Sequence, residues 1–378
     1  MLDNYLKKNF FYINDNLKMN FCLHELEASN QMAIDTEFSR SNTYFPVLSI
    51  IQIAIKKDNN EKKIFIIDCL QDIDLSSFWA LIASNKIIKI IHSSLQDLQI
   101  FFLKSQLKPE NIFDTQLMAN FCGFGANIGY ASLVQQNFQL YLDKKLQRSD
   151  WCKRPLSEKQ LQYACLDVVF LHEIFDILLN KLIQNNRLEF YFEEIKNFVA
   201  KALNQGNDHL IRNFSLRKKN QNYVVILKKL LLWREDQARI FNIPRQHFLK
   251  DEELEDLASS KEINIQTLTK LNDSCLIELK EILNEEISDE AFDFKDENSG
   301  IILNNSQKII FVEAKKIITK IALGENIAEQ FLLNNSDLKK IITQRQDFAN
   351  NPFKYLSEWR CNLLYQPLIK ILNETHHS

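Results

Sequence analysis

The chain has 378 residues, is 46% hydrophobic and 25% charged, and carries a formal net charge of −3; this is an ordinary globular profile with room for two or three domains. No segment approaches the roughly 18 uninterrupted apolar residues of a membrane span. The seven cysteines, at 22, 69, 122, 152, 165, 275 and 361, form no CxxC pair, which argues against a zinc site and a disulfide framework.

The opening stretch MLDNYLKKNFFYINDNLKMN breaks every apolar run with charge or Asn, so it lacks the h-region of a secretory signal. A reducing cytoplasm is the expected compartment. Residues 33–38 read as a strand, followed by the β-rich runs VLSIIQIAI (47–55) and KIFIIDCL (63–70), with a polar turn between the last two. SSFWALIASN (76–85) reads as a helix capped by Ser, IIKIIH (87–92) as a fourth strand, and LQDLQIFFLK (95–104) as a second helix. Strands first in hairpins, then alternating with helices, predict an α/β domain with a mixed sheet flanked by helices. From about 156 the pattern is helical. Residues 157–184 open on Ser157 and carry one long apolar stripe of period 3.6.

Breaks at NQGNDH (204–209) and DFKDENSG (293–300) predict three domains: 1–205, then two all-α pieces at 210–292 and 300–378. LLLWREDQAR (230–239) and LSEWRCNLLYQ (356–366) each place Trp-Arg in an amphipathic helix, a loose sign of a repeated module. Charge is uneven along the chain. Residues 201–250 hold 11 Lys+Arg against 3 Asp+Glu, and residues 251–300 hold 4 against 16. Arg217, Lys218 and Lys219 in the first stretch form a candidate phosphate-facing surface, with a solvated helix face as the plain alternative.

QMAIDTEFSR (31–40) contains the main chemical signal. Asp35 and Glu37 lie two apart on a strand and therefore share a face. Two adjacent carboxylates repel, and desolvation adds to the cost. A hard divalent cation would compensate, and a pair of exposed strand-end acids is the alternative. In IIKIIHSSLQDLQIFF, Asp97 falls in the first turns of a helix that follows a strand. In LQYACLDVVFL, Tyr163 and Asp167 are four apart on one helix face. Each signal is weak by itself. Together Asp35, Glu37, Asp97 and Asp167 could converge as four acids around two cations, about 3.5–4 Å apart in sites of this kind. His92 reads as a structural histidine, Asp114 as a helix N-cap and Cys165 as core. Asp150-Trp151 and Arg154-Pro155 leave packing and substrate-path roles equally open.

The segments AIDTEFSRSNTYFPVLSIIQI, IIHSSLQDLQIF, IFDTQLMANFCG and RSDWCKRPLSEKQLQYACLDVVFL resemble bacterial ribonuclease D, in the tyrosine-bearing branch of the DEDD exonucleases. LLLWREDQARIFNIPRQHFLKDEELEDLA (230–258) is similar to the helical domain shared by helicases and ribonuclease D, and the last 80 residues look like a divergent second copy. The resemblance implies a ribonuclease H-like exonuclease domain followed by two helical domains. It also implies 3′→5′ hydrolysis of RNA to 5′-nucleotides, with two Mg²⁺ or Mn²⁺ ions, and trimming of transfer RNA precursors and other small structured RNAs.

The implied roles are chemically coherent. One cation, held by Asp35, Glu37 and Asp167, would activate the attacking water. The second, held mainly by Asp35 with a water-mediated contribution from Asp97 left open, would stabilise the leaving 3′ oxygen. Tyr163, with an ordinary pKa near 10, is expected to orient the water and not to deprotonate it. Glu37 would meet the terminal ribose. Arg217, Lys218 and Lys219 would help a basic helical collar hold RNA by its backbone. RNA is the expected partner, with no membrane and no obligate protein partner. A DNA 3′→5′ exonuclease and a catalytically dead nucleic-acid-binding module remain the alternatives.

Overall fold

The computed structural model describes residues 10–57, 61–204, 221–263, 271–285 and 301–374. Arg217, Lys218, Lys219 and most of both expected linkers lie outside the described residues. Among the described residues, no helix is long and apolar enough to cross a membrane. The chain clusters into two compact units. The first comprises Met1–Phe38, Leu48–Asn204 and Leu303–Ser378, and the second Ser39–Val47 and Gln205–Ile302.

In the first unit β1 (Phe10–Ile13) leads into α1 (Asn16–Glu27). The strands β2 (Gln31–Ser39), β3 (Val47–Lys56) and β4 (Lys62–Asp68) follow, then α2 (Ser76–Ala83), β5 (Ile88–Ile91), α3 (Leu95–Ser105), β6 (Ile112–Asp114), α4 (Thr115–Asn120), α5 (Tyr130–Phe138), α6 (Glu158–Val169), α7 (Leu171–Gln184) and α8 (Leu188–Leu203). The sheet order is β1-β4-β3-β2-β5-β6. β3 and β4 form the expected antiparallel hairpin, whereas β1–β4, β2–β5 and β5–β6 are parallel. The mixed α/β sheet with covering helices is thus present. Its central strands read as near-continuous apolar runs because both faces are covered: Ile50, Ile51, Ile53, Ala54 and Ile64 through Ile67 are all 0% exposed.

Register explains where the site opens. β2 pairs with β5 from Gln31↔Ile88 to Ala33↔Ile90, and β5 ends one residue later. β2 continues for another five residues. Its C-terminal half, with Asp35 and Glu37, therefore runs past its parallel neighbour, beside the turn that starts α3. A crevice at the carboxyl ends of strands, where chain direction switches, is the general ligand position in open α/β sheets.

The 157–184 segment is not the single helix that its pattern predicts. It breaks at Phe170 into α6 and α7. The Tyr130 hydroxyl donates to the Leu166 carbonyl (2.9 Å) and accepts from the Phe170 N–H (3.3 Å), the two groups that would pair in an unbroken helix. A side chain inserted into the ladder in this way kinks a helix. Lys62 reinforces the joint by donating to the Val169 carbonyl, its charge held by Glu173 at 2.6 Å. The start of α6 is firm: Ser157 and Gln160 form a reciprocal capping box.

The first unit also contains α13 (Asn305–Glu325), α14 (Glu329–Leu332), α15 (Asn335–Thr343), α16 (Arg345–Asn350) and α17 (Glu358–Glu374), which follow the second unit's helices in the chain. Trp359, 1% exposed, is ringed by Phe121, Phe190 and Phe331 at centroid distances of 5.2, 5.5 and 5.9 Å. The Glu193 carboxylate caps the start of α17, accepting from the backbone N–H of Glu358 (2.6 Å) and Trp359 (3.1 Å). Gly123 has φ +78°, and a Cβ there would lie 2.3 Å from the Asn326 side chain, so both backbone angle and contact require glycine.

The second unit holds α9 (Gln221–Ile240), α10 (Arg245–Phe248), α11 (Asp251–Ser260) and α12 (Asp273–Asn284). Its core joins Leu227, Leu230, Leu254, Leu257 and Leu279. Glu235, fully buried, is held by Arg245 and by the Tyr44 hydroxyl. The two helical regions repeat with an offset of 84 residues. A long helix ends at a left-handed Asn (Asn242, φ 50°; Asn326, φ 51°). A four-residue helix follows (Arg245–Phe248; Glu329–Leu332), then an extended Leu (Leu249; Leu333) and a further helix from Asp251 or Asn335. The Trp-Arg pairs do not share this register. Trp233-Arg234 lies in the first helix of one region and Trp359-Arg360 in the last helix of the other.

Candidate active site

Asp35, Glu37 and Asp167 each present a carboxylate oxygen within 4.8 Å of the other two. The first two come from β2, and the third comes from the last turn of α6, just before the break. Asp97 lies outside this triple but lines the same cavity, 6% exposed, and accepts from the Thr36 hydroxyl. Tyr163 lines the cavity too. Its volume, about 570 Å³, suits a nucleotide-sized ligand.

The electrostatics are those of acids lacking a counter-charge. Burial, then Asp167, Asp97 and Glu37, push the Asp35 carboxyl well above the usual range. Burial, then Asp167 and Asp97, raise Glu37 to about 9. Burial lifts Asp97 to about 7 against the opposing pull of the Thr36 hydroxyl, and burial lifts Asp167 well above its ordinary value. One Asp167 oxygen is buried with no partner. Converging hard oxygens, one of them orphaned, fit a divalent cation such as Mg²⁺ or Mn²⁺. Burial, then the carboxylates of Asp167, Glu37 and Asp35, push the Tyr163 hydroxyl well above its ordinary pKa. It therefore stays a neutral phenol at physiological pH.

A stability prediction follows from the signs. A carboxyl whose folded pKa lies above its unfolded value binds more protons when folded, so its contribution to stability is lost as pH rises from the ordinary carboxylate range through the folded pKa. With a chelator present, these acids therefore weaken the fold progressively up to about pH 9, set by Glu37. A bound cation reverses the effect. The rise in Tm caused by Mn²⁺, measured against a chelator control, is expected to grow steadily from about pH 5 to 9. A gain independent of pH would contradict this arrangement.

The neighbouring residues mostly build the frame. Asp114 is the N-cap of α4, as its sequence context predicts (Gln116 N–H at 2.8 Å, Leu117 N–H at 3.0 Å). It also accepts from the Ser94 N–H (2.7 Å) and hydroxyl (2.8 Å), which ties down the turn that carries Asp97. His92 bonds Thr115 through Nδ1 at 3.0 Å, and burial lowers its pKa to about 4, a neutral structural imidazole. Cys165 is core. Trp151 is 3% exposed with its ring 5.8 Å from that of Tyr163. Arg154 grips Asp68 with two bonds of 2.7 and 2.6 Å and the Trp151 carbonyl with a third of 2.6 Å. Packing is therefore the role of Trp151 and Arg154. The Asp150 carboxylate caps the Cys152 N–H at 3.0 Å.

Thr36, Tyr130, Lys144 and Arg148 also line the cavity, and the sequence reading assigns none of them a role. Thr36 lies between the two expected acids, but its bond to Asp97, 61 residues away, has no local signature. Lys144 and Arg148 belong to a short Lys-Lys-x-x-Arg run that resembles any solvated turn.

Residues 10–183 match the model of a 3′-5′ exonuclease family and residues 225–274 that of the HRDC domain. The ribonuclease D of Bartonella henselae is 31% identical over 333 residues, covering 85% of this chain and 81% of that one. The ribonuclease D of Desulfotalea psychrophila is 31% identical over 351 residues, covering 88% and 90%. The crystal structure of Escherichia coli RNase D, described as an exoribonuclease involved in structured RNA processing, superposes with a TM-score of 0.76 over 97% of this chain and 99% of that one, at 24% identity. Fold, acidic cavity and near-full-length likeness agree: the chain belongs to the ribonuclease D family and is a 3′→5′ exoribonuclease.

Proposed function

We propose that Asp35, Glu37, Asp97 and Asp167 hold two divalent cations, Mg²⁺ or Mn²⁺, and that the enzyme trims the 3′ ends of transfer RNA precursors and other small structured RNAs in the cytoplasm. The observation carrying the metal reading is the set of three carboxylates within 4.8 Å, one with a buried orphan oxygen. Bound there, the cations would supply acidity to the attacking water and positive charge at the leaving 3′ oxygen. Tyr163 lines the cavity beside these acids, packed near the Trp151 ring, and as a neutral phenol it orients that water without removing its proton. Glu37 would meet the terminal ribose hydroxyls. Asp97, outside the triple and accepting from Thr36, would act through an intervening water. Seven free cysteines support a reducing compartment.

The domain reading is a catalytic domain at 1–205, an HRDC-type domain at 210–292 and a divergent second copy at 300–378. The 84-residue offset between left-handed Asn, four-residue helix and extended Leu supports the last assignment. Arg217, Lys218 and Lys219 remain assigned to RNA-backbone contact by charge alone.

The deciding experiment offers the enzyme a 3′-extended transfer RNA, an unstructured RNA with the same tail, and DNA of the same sequence. Stepwise removal of 5′-nucleotides from the transfer RNA tail, stopped by chelation and restored by Mg²⁺ or Mn²⁺, is expected. Preference for DNA, or activity indifferent to chelation, would overturn the reading.

A further inference from the structure

The acidic cavity does not end at the acids. It opens into a second hollow, with which it shares Ala131, Leu142, Asp143 and Lys144. One wall of this hollow is the exposed side of α5, through Ala131, Ser132 and Gln135. The other is the irregular segment carrying Tyr141, Leu142, Asp143, Lys144 and Lys145. Together they make a groove leading away from Asp35, Glu37 and Asp167.

Three features of the groove are unexplained by the fold. Lys144 and Arg148 line a cavity rich in carboxylates, yet neither side chain has an ion pair or hydrogen bond among the described residues. The Lys144 ammonium instead lies over Gly129, 3.6 Å from where a Cβ would sit there. Lys145 is 87% exposed and reaches Asp143 only at 3.5 Å. Tyr141 is 80% exposed with no ring partner among the described residues. A large aromatic left in water beside unpaired cations along a channel is the composition that binds single-stranded nucleic acid: cations follow the phosphates and an aromatic face stacks on a base.

Resting on the exoribonuclease reading of the acids, we propose that this groove carries the RNA nucleotides 5′ to the scissile bond, with Lys144 and Lys145 neutralising successive phosphates and Tyr141 stacking on a base. With the 3′ terminal nucleotide held at the acids, the cavity continues along α5 through the shared residues Ala131, Leu142, Asp143 and Lys144. The groove thus sets how much single-stranded tail the enzyme grips before each cut.

The test compares two substrates, a dinucleotide and a single-stranded RNA of about eight nucleotides, for wild type, Tyr141→Ala and Lys145→Ala. Both variants change exposed side chains, and folding is checked by Tm. A dinucleotide ends before Tyr141 and Lys145, so its kcat/KM should stay within about twofold of wild type. On the longer RNA, KM should rise about tenfold for Tyr141→Ala at little cost in kcat, which matches the stacking contribution of one base. For Lys145→Ala the slope of log affinity against log salt should become shallower by about 0.7. Unchanged KM and salt slope on the longer RNA would overturn the groove while leaving the acid site intact. Equal losses on both substrates would also overturn it, because the residues would then act at the scissile bond. A wild type that cleaves neither substrate with Mn²⁺ would overturn the catalytic reading beneath it.

Discussion

Asp35→Asn is expected to lower kcat on any RNA by about 10³-fold or more while leaving the metal-free protein at least as stable as wild type. Asp35 is the acid that most of the others press on: Asp167, Asp97 and Glu37 all push its pKa up after burial has done so. In the metal-free fold the charged carboxylate is a liability, and a neutral isostere removes one repelling charge from a desolvated cluster. For function the same charge is essential. Asn keeps the shape and one carbonyl oxygen but supplies no negative charge to a cation. Losing a single preorganised donor from a catalytic centre already costs about 10²–10³-fold, and under the proposal that Asp35 serves both cation positions its loss should cost more. The two readouts separate the metal reading from a structural one. Activity should collapse and the pH-dependent Tm gain from Mn²⁺ should shrink, while Tm in chelator should hold or rise. A variant that loses activity only because it unfolds in chelator would identify Asp35 as structural, and a variant within tenfold of wild type would remove it from the site.

What could be read from sequence, and what could not, divides by the distance over which each feature is determined. β2 to β5 are visible as apolar runs because both sheet faces are covered, and the β3–β4 hairpin because a polar turn separates two such runs. β1 and β6, of four and three residues, are too short to leave a pattern, and their parallel pairing is a property of the whole sheet. The break at Phe170 is invisible for a related reason. The local apolar period is continuous, and it is the Tyr130 hydroxyl, 40 residues away, that displaces the helical bond. The four acids and Tyr163 stand out because strand alternation and helix spacing put them on shared faces and family wording ties the three motifs together. The partners that hold them, Thr36 for Asp97 and Asp114 for the turn before it, depend on contacts that no spacing encodes. The helical repeat shows how pattern can mislead. Two Trp-Arg pairs suggest equivalence, but the true offset is carried by less conspicuous residues, Asn242 and Asn326, whose left-handed backbone ends each long helix.

The second large effect is expected in the last helix. Trp359→Ala should destabilise the first unit by about 3–5 kcal/mol, the usual range for truncating a buried large aromatic, and lower Tm by about 10 °C. The indole is almost fully buried against Phe121, Phe190 and Phe331, its Nε1 donates to Glu194 at 2.8 Å, and the Arg360 guanidinium lies 4.4 Å from its ring centroid. Removing it opens a cavity too well walled to collapse, leaves Glu194 without one of its donors, and takes from Arg360 the nearer of its two ring faces, the other being Phe331. Phe121 lies at the end of α4 and Phe190 on α8, so the contact joins the C-terminal helices to the sheet-bearing part of the same unit. Trp359 is not among the residues lining the acidic cavity. At a temperature where both proteins are folded, kcat on a dinucleotide should therefore stay within about twofold of wild type, and inactivation should set in at the lowered Tm. Trp359→Phe retains most of the ring area and loses the Nε1 bond, so it should fall between the two. A Tm change below about 2 °C for Trp359→Ala would mean that the C-terminal helices are held by their other contacts, among them the Glu193 cap of α17, the Arg360–Glu194 pair, Gly123–Asn326 and the Arg187–Glu325 pair at 3.2 Å.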